Sequence, residues 1–354
     1  MKARSLREEF EERENGFLSP WASPASRSGG RVRPEEPCPL RTCFQRDRDR
    51  IVYCNAFRRL KHKTQVFLNP LGDHYRTRLT HTLEVAQIAR NIARAMRLNE
   101  DLTEAIALAH DLGHTPFGHG GEMVLKEIFD ESFTHHDQSL RVVDVLENRG
   151  RGLNLTEEVR DGILKHSKGF GDIMPDSQGE VASTLEGRVV RISDIIAYLN
   201  HDLDDAIRSK VITRAQVPGI CSQVLGTRHP ERVTSMIRDV VSHSREDSGG
   251  MTLSISDRVH EAMLVLRQFL YDNVYRSPHV HNEFIKAKKI LSELFQHYLD
   301  NTGDYRRAMA EMELSQDPCT GVPDERSVCD LIASMTDRYA MSRYEKIFLP
   351  APLV

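Results

Sequence analysis

TEAIALAHDLGHTPFGHGGE, residues 103–122, opens as a helix and ends as a cluster of ionisable side chains. Thr103 is a good capping residue, the Ala and Leu that follow are strong helix formers, and Gly113 stops the run. His110 and Asp111 close the helix. An adjacent His and Asp is by itself an ordinary polar helix end, but two other positions raise its meaning. His81 lies near the start of an amphipathic helix in which Leu83, Ala86, Ile88, Ala89, Ile92, Ala93, Met96 and Leu98 recur at helical intervals. Asp194 sits inside RVVRISDIIAYLNHDLDD, an acidic residue in an otherwise apolar helical segment. A carboxylate buried there needs a partner or a metal.

His81, His110, Asp111 and Asp194 form a mixed nitrogen and oxygen donor set suited to one divalent ion, Mg or Mn first and then Fe, Co or Ni. Four protein ligands leave octahedral positions for water and a phosphate oxygen, so the ion can acidify water and polarise an electrophile. In LGHTPFGHGGE the glycines and proline turn the chain after the helix and present His114, His119 and Glu122. A histidine beside a carboxylate is the usual arrangement for general acid–base work near neutral pH.

Composition bounds the rest. The chain has 354 residues, 39% hydrophobic and 28% charged, which predicts a globular protein of about two domains or one large one at roughly 150 residues per domain. Lys and Arg number 48 against 52 Asp and Glu, a net charge of −4, which disfavours a dedicated duplex-DNA binder. No apolar run approaches the ~20 residues needed to span a bilayer, so no membrane partner is expected. MKARSLREEFEEREN lacks the apolar segment of a signal peptide. The six cysteines show no CxxC pair, so reduced thiols and a cytoplasmic location are expected. Of the 16 histidines, eight fall between His62 and His136, which is where a metal site is expected.

Residues 5–15 read as a short charged helix, and the Ser-, Pro- and Gly-rich stretch 19–39 reads on composition alone as a mobile arm. From Leu40 the chain is mostly helical, with helices predicted at 83–98, 103–113, 120–130, 137–148, 156–166, 184–208, 230–242, 256–275, 280–300 and 325–340. VIT (211–213) and MTLSI (251–255) are the two strand candidates. The expected class is mainly α.

The order His81, His110-Asp111, Asp194 resembles the H…HD…D signature of the HD-domain metal-dependent phosphohydrolases. More narrowly, the chain resembles the bacterial deoxyguanosinetriphosphate triphosphohydrolase-like proteins, the shorter branch of the dGTPase family. RTCFQRDRDRIVYCNAFRRLKHKTQVF (41–67), TRLTHTLEVAQIAR (77–90), HDLGHTPFGHGGE (110–122), FTHHDQSLRVV (133–143) and RISDIIAYLNHDLDDA (191–206) carry the resemblance. It implies an HD-domain helical metallo-phosphohydrolase fold with a helical C-terminal extension. Residues 1–39 would be an arm packing on the core, 40–210 the catalytic core and 211–354 the extension.

The implied reaction is hydrolysis of dGTP or another dNTP to deoxynucleoside and tripolyphosphate. By motif position His81, His110, Asp111 and Asp194 would hold the metal, His119 and Glu122 would be the catalytic pair, and His114 would lie against the α-phosphate. Gln65 would recognise the sugar 3′-hydroxyl. Tyr198 and Asp202 follow Asp194 by four and eight residues on one helical face, and would contact the deoxyribose. Arg78 would bind phosphate, with His135 and Lys165 as further contacts. Thr115 replaces the family's usual Pro, Gly120 its Ala, and His136 its frequent Asn. The tail resembles the family's closing helical segment. Relatives are homo-oligomers, some activated by a dNTP effector.

Two other readings stay open. One is a different HD phosphohydrolase, a nucleotidase or phosphodiesterase, distinguished by its product. The other is a nucleotide-sensing or single-stranded-DNA-binding protein that uses Arg41, Arg46, Arg48, Arg50, Arg58 and Arg59. Asp47 and Asp49, interleaved with those arginines, favour internal ion pairs or a subunit interface instead.

Overall fold

A computed structural model describes residues 4–66, 76–167, 171–175, 181–247, 250–314 and 322–350, with His279 described by its backbone alone. His74 and Cys319, noted in the sequence, lie outside these residues. The fold is mainly helical, with one two-stranded antiparallel sheet among the described residues. No helix among them is long and apolar enough to cross a membrane. The polypeptide forms two units. The first comprises Met1–Val52, His81–His110 and Asn154–Ser277; the second comprises Tyr53–Thr80, Asp111–Leu153 and Pro278–Val354.

In the first unit the 24-residue helix Leu185–Arg208 packs against Glu100–Ala109, Glu157–Leu164, His229–His243 and Asp257–Leu270. Helix Glu100–Ala109 starts earlier than predicted, because the Asn99 side chain accepts from the amides of Asp101 and Leu102. Thr103 lies inside the helix, its hydroxyl donating to the Asn99 carbonyl at 2.8 Å. Ile106 is fully buried on this helix. A Cβ at Gly162 would come within 2.6 Å of Ile106 Cδ1, so a glycine is what allows helix Glu157–Leu164 to lie this close.

The N-terminal stretch engages the same unit. Helix Leu6–Phe17 carries Glu14, which accepts from the Ala25 amide at 2.7 Å and from Asn99 Nδ2 at 3.2 Å. Buried Glu186 accepts from the amides of Ser23 and Asn99. Asp47, fully buried, pairs with Arg31 and accepts from the amide and hydroxyl of Thr156. Residues 19–39 are therefore held, and the compositional expectation of a mobile arm is corrected: side-chain carboxylates from the helices take up backbone amides that composition cannot match with partners. VIT forms no strand, since Thr213 caps the short 3₁₀ turn Arg214–Gln216. Of MTLSI only Met251 and Thr252 lie in a strand: Gly250–Thr252 pairs with Arg245–Asp247.

In the second unit, helix His119–Ile128 packs on Pro278–Asp300, which also packs on Thr302–Glu311, Glu325–Ser334 and Asp337–Phe348. Val124, Leu125, Leu291, Leu294, Tyr298, Ile332 and Met335 form the centre of this core. The single helix expected at 325–340 is two. Met335 is extended at φ −64°, ψ 153°, and Thr336 caps the second helix through its hydroxyl. The break frees Asp337 to accept from the amides of Thr64 and Phe117, both at 2.9 Å. Asp330 binds Arg141, Arg326 and the Gln138 side chain.

Candidate active site

The candidate residues belong to both units, and each unit builds a cluster of its own. In the first, helix Arg78–Ala95 carries His81, helix Glu100–Ala109 ends at His110, and helix Leu185–Arg208 carries Asp194. His81 Nε2 lies 3.1 Å from Asp194 Oδ1. Two ligands at a right angle on bonds of about 2.1 Å stand about 3.0 Å apart, so this pair is spaced as neighbours on one ion. The His110 ring is 5.5 Å from that of His81. His110 Nδ1 donates to the Ala107 carbonyl at 2.7 Å, which places the ring proton there and turns Nε2 outward for coordination. His110, Asp194 and buried His166 bring their ligand atoms within 4.8 Å of one another.

His81 is oriented from behind. Its Nδ1 lies 2.8 Å from Nε2 of His201, and His201 Nδ1 lies 2.7 Å from Asp202 Oδ1. Asp202 Oδ2 accepts from the Tyr275 hydroxyl at 2.5 Å. His201 Nδ1 makes no hydrogen bond among the described residues, so the approach of Asp202 is electrostatic; it favours a proton on Nδ1, which leaves His201 Nε2 to accept from His81 Nδ1–H. The lone pair of His81 is thereby left on Nε2. Such support behind a ligating histidine fixes its ring and tautomer. Burial pushes the Tyr275 and Tyr198 hydroxyls up, with Arg267 acting against the shift at Tyr198.

The second unit contributes Asp111, which follows His110 directly in the chain. Asp111 Oδ2 accepts from Arg78 Nη1 at 2.6 Å in a pair almost wholly withdrawn from solvent. Nε and Nη2 of Arg78 are buried without a hydrogen-bond partner among the described residues. His114, His119, Glu122 and His135 gather nearby within the same unit. His114 stacks on His135 with ring centres 4.2 Å apart, and the His119 ring meets His114 edge-on at 5.1 Å. Glu122 Oε2 accepts from His119 Nδ1 at 3.3 Å and from His135 Nδ1 at 3.1 Å.

The electrostatics differ ring by ring. Burial raises Glu122, but the hydrogen bonds from His119 and His135 outweigh it and hold the carboxyl far below its usual range. Burial opposes charge on His135, yet Glu122 raises its pKa. His114 is pushed well down by burial and by the charge of Arg78, so it is a neutral imidazole near pH 7. His119 stays largely exposed, its side chain 71% accessible.

Glycines shape this segment. Gly118 sits at φ +61°, and a Cβ there would reach 3.0 Å from the Gln65 carbonyl. A Cβ on Gly113 would overlap the backbone of Gln138 and Ser139, and one on Gly121 would overlap the Pro116 carbonyl. Lys63, fully buried, donates to the carbonyls of His114 and Ala333.

The remaining candidates divide. Gln65 Oε1 is buried without a hydrogen-bond partner among the described residues. Tyr198 shares the helix of Asp194. Asp202 is occupied by His201 and Tyr275 rather than turned to an open position. Lys165 pairs with Asp161 at 2.6 Å, one turn earlier on its own helix. His135 belongs with Glu122. His201, His166, Tyr275 and Lys63 were not singled out from the sequence. The histidines carried a signal, standing directly beside the selected Asp202 and Lys165.

The arginines of 41–50 are engaged in ion pairs within the first unit. Arg41 pairs with Asp49, Arg48 with Asp101 and Glu104, and Arg46 and Arg50 with Glu35. In the second unit Arg59 pairs with Glu147. All thiols among the described residues are free.

The HD domain profile matches residues 78–199, and that of the phosphohydrolase-associated domain matches residues 253–346. A deoxyguanosinetriphosphate triphosphohydrolase-like protein of Desulfatibacillum aliphaticivorans is 70% identical over 99% of this chain and 100% of its own. The protein of the same description from Caldanaerobacter subterraneus subsp. tengcongensis is 52% identical over 99% and 97%. That from Clostridium perfringens strain SM101 is 44% identical over 98% of each.

Proposed function

Because the chain belongs to the deoxyguanosinetriphosphate triphosphohydrolase-like family of HD-domain phosphohydrolases, we propose that it is a metal-dependent dNTP triphosphohydrolase acting on dGTP or another dNTP. The observation that carries the reading is Arg78. A buried guanidinium with one arm on Asp111 and two nitrogens without a hydrogen-bond partner among the described residues is costly unless an anion completes it, and a triphosphate is such an anion.

His81, His110, Asp111 and Asp194 would hold the divalent ion, which when bound supplies Lewis acidity and a more acidic water. Water adds to the α-phosphorus, its oxygen stays with tripolyphosphate, and the P–O5′ bond breaks. His114, neutral because burial and the charge of Arg78 disfavour its cation, can donate its ring N–H to a phosphate oxygen. Glu122, kept ionised by two histidines, orients His119 through Nδ1; the exposed ring can meet the departing 5′-oxygen and act there as general acid. Gln65, whose carbonyl oxygen is buried without a hydrogen-bond partner among the described residues, would recognise the sugar 3′-hydroxyl, and Tyr198 would contact the deoxyribose.

The engagement of the 41–50 arginines in ion pairs argues against a phosphate-backbone surface there. A homo-oligomer with a dNTP effector remains the family-based expectation, as do the arm 1–39, the core 40–210 and the extension 211–354. The test is incubation with each dNTP and each ribonucleotide in Mg and in Mn, with products separated by anion exchange. Tripolyphosphate with deoxynucleoside is expected; orthophosphate or pyrophosphate as the primary product overturns the reading.

A further inference from the structure

We infer that His166 is a ligand of the same metal centre, beyond the four residues of the H…HD…D signature. The inference rests on the metal-dependent reading above and on three observations within the first unit.

His166 repeats the construction of His110. In both, Nδ1 donates to a backbone carbonyl three residues earlier, Ala107 for His110 and Ile163 for His166, each at 2.7 Å. A carbonyl at that distance requires the proton on Nδ1, so each imidazole presents the lone pair of Nε2. The tether satisfies a buried ring N–H and at the same time fixes tautomer and direction, as the support behind a ligating histidine does.

The two rings are also directed to one place. His166 is 1% exposed, its ring centre is 4.9 Å from that of His110, and the planes are inclined by 75°. The ligand atoms of His110, His166 and Asp194 all lie within 4.8 Å of one another. Two imidazoles and a carboxylate so close, with the imidazoles each anchored from behind, form a coordination set.

The set is not a second metal site. Nε2 of His110 has one lone pair and serves one ion, and Asp194 is already 3.1 Å from His81 Nε2. His166 therefore joins the ion held by His81, His110 and Asp194, taking a position otherwise left to solvent. A third imidazole makes the centre richer in nitrogen. That favours Mn, Fe, Co or Ni over Mg, which prefers oxygen ligands and retains its waters.

The experiment uses the full chain stripped of metal, with His166→Gln and His166→Cys beside the parent. Mn binding is measured by calorimetry, and Co binding by visible absorption. The parent is expected to bind Mn. His166→Gln is expected to weaken Mn on the order of tenfold or more, at least the loss seen when a ligand's supporting residue is removed, and to narrow the preference for Mn over Mg. His166→Cys is expected to add a thiolate-to-cobalt charge-transfer band that is absent from the parent and from His166→Gln, both of which carry the same native thiols. Unchanged Mn affinity in His166→Gln together with no new band in His166→Cys overturns the assignment of His166 alone. A parent that binds no divalent metal overturns the metal-dependent function itself.

Discussion

Nδ1 of His81 lies 2.8 Å from Nε2 of His201. With Asp202 behind His201 and the Tyr275 hydroxyl on Asp202, a line of polar groups runs to the back of a candidate ligand. The first prediction is that His201→Ala lowers metal affinity by about 10- to 100-fold. Tyr275→Phe, which removes one hydrogen bond and leaves the line in place, should cost much less. Calorimetric titration of both variants with Mn decides it. Equal affinities for parent and His201→Ala would make the contact irrelevant to binding.

Arg78 is predicted to act mainly on substrate binding. Arg78→Lys keeps a charge for Asp111 but loses the planar fork, so KM for a dNTP should rise about tenfold or more, a charged hydrogen bond contributing roughly 1.5–3 kcal/mol. Arg78→Ala also removes the guanidinium paired with the buried Asp111 carboxylate, and should melt at a visibly lower temperature than Arg78→Lys. Steady-state kinetics and thermal melts on the pair separate the two effects.

Replacing His119 and replacing Glu122 should resemble each other, because the carboxylate acts through the ring. His119→Ala is expected to retain metal while losing rate by about 10²- to 10⁴-fold. Glu122→Gln, which leaves His119 and His135 without an anionic acceptor, should lose rate in the same direction and shift the pH–rate profile. A Glu122→Gln enzyme with the parental profile would separate Glu122 from the chemistry.

Gly113→Ala and Gly121→Ala are predicted to destabilise by about 1–3 kcal/mol or more, since each Cβ would overlap backbone rather than a movable side chain. Gly303→Ala, where a Cβ meets nothing within 4 Å, serves as the control and should be nearly neutral. Urea unfolding monitored by circular dichroism checks the order.

Glu14 makes a pH prediction. Burial raises its carboxyl to about 7, against the hydrogen bonds from Ala25 and Asn99. The folded value stands above the unfolded one near 4.5, so the folded state binds the proton more tightly. Stability from this group is fully present below pH 4.5 and is lost as the pH rises toward and through 7. Glu14→Gln copies the neutral form, so its melting temperature relative to the parent should climb between pH 5 and pH 8. A difference that stays constant across that window would show that Glu14 does not titrate there.

What the sequence determined by itself was local and chemical. Helical periodicity announced Leu185–Arg208 and His229–His243 nearly to their ends, because a one-sided apolar face is written in the spacing of residues. Histidines and carboxylates in the HD pattern named a metal chemistry, because ligand type depends on residue type. The tertiary structure decided which neighbour of a marked residue faces inward. The sequence drew attention to Lys165 and Asp202; the fold pairs Lys165 with Asp161, encloses Asp202 with His201 and Tyr275, and sets His166 against His110. It also broke the last predicted helix at Met335, placing Asp337 under the amides of Thr64 and Phe117. Residues more than a hundred positions apart meet through packing, and no pattern along the chain records which carbonyl, imidazole or carboxylate will be opposite.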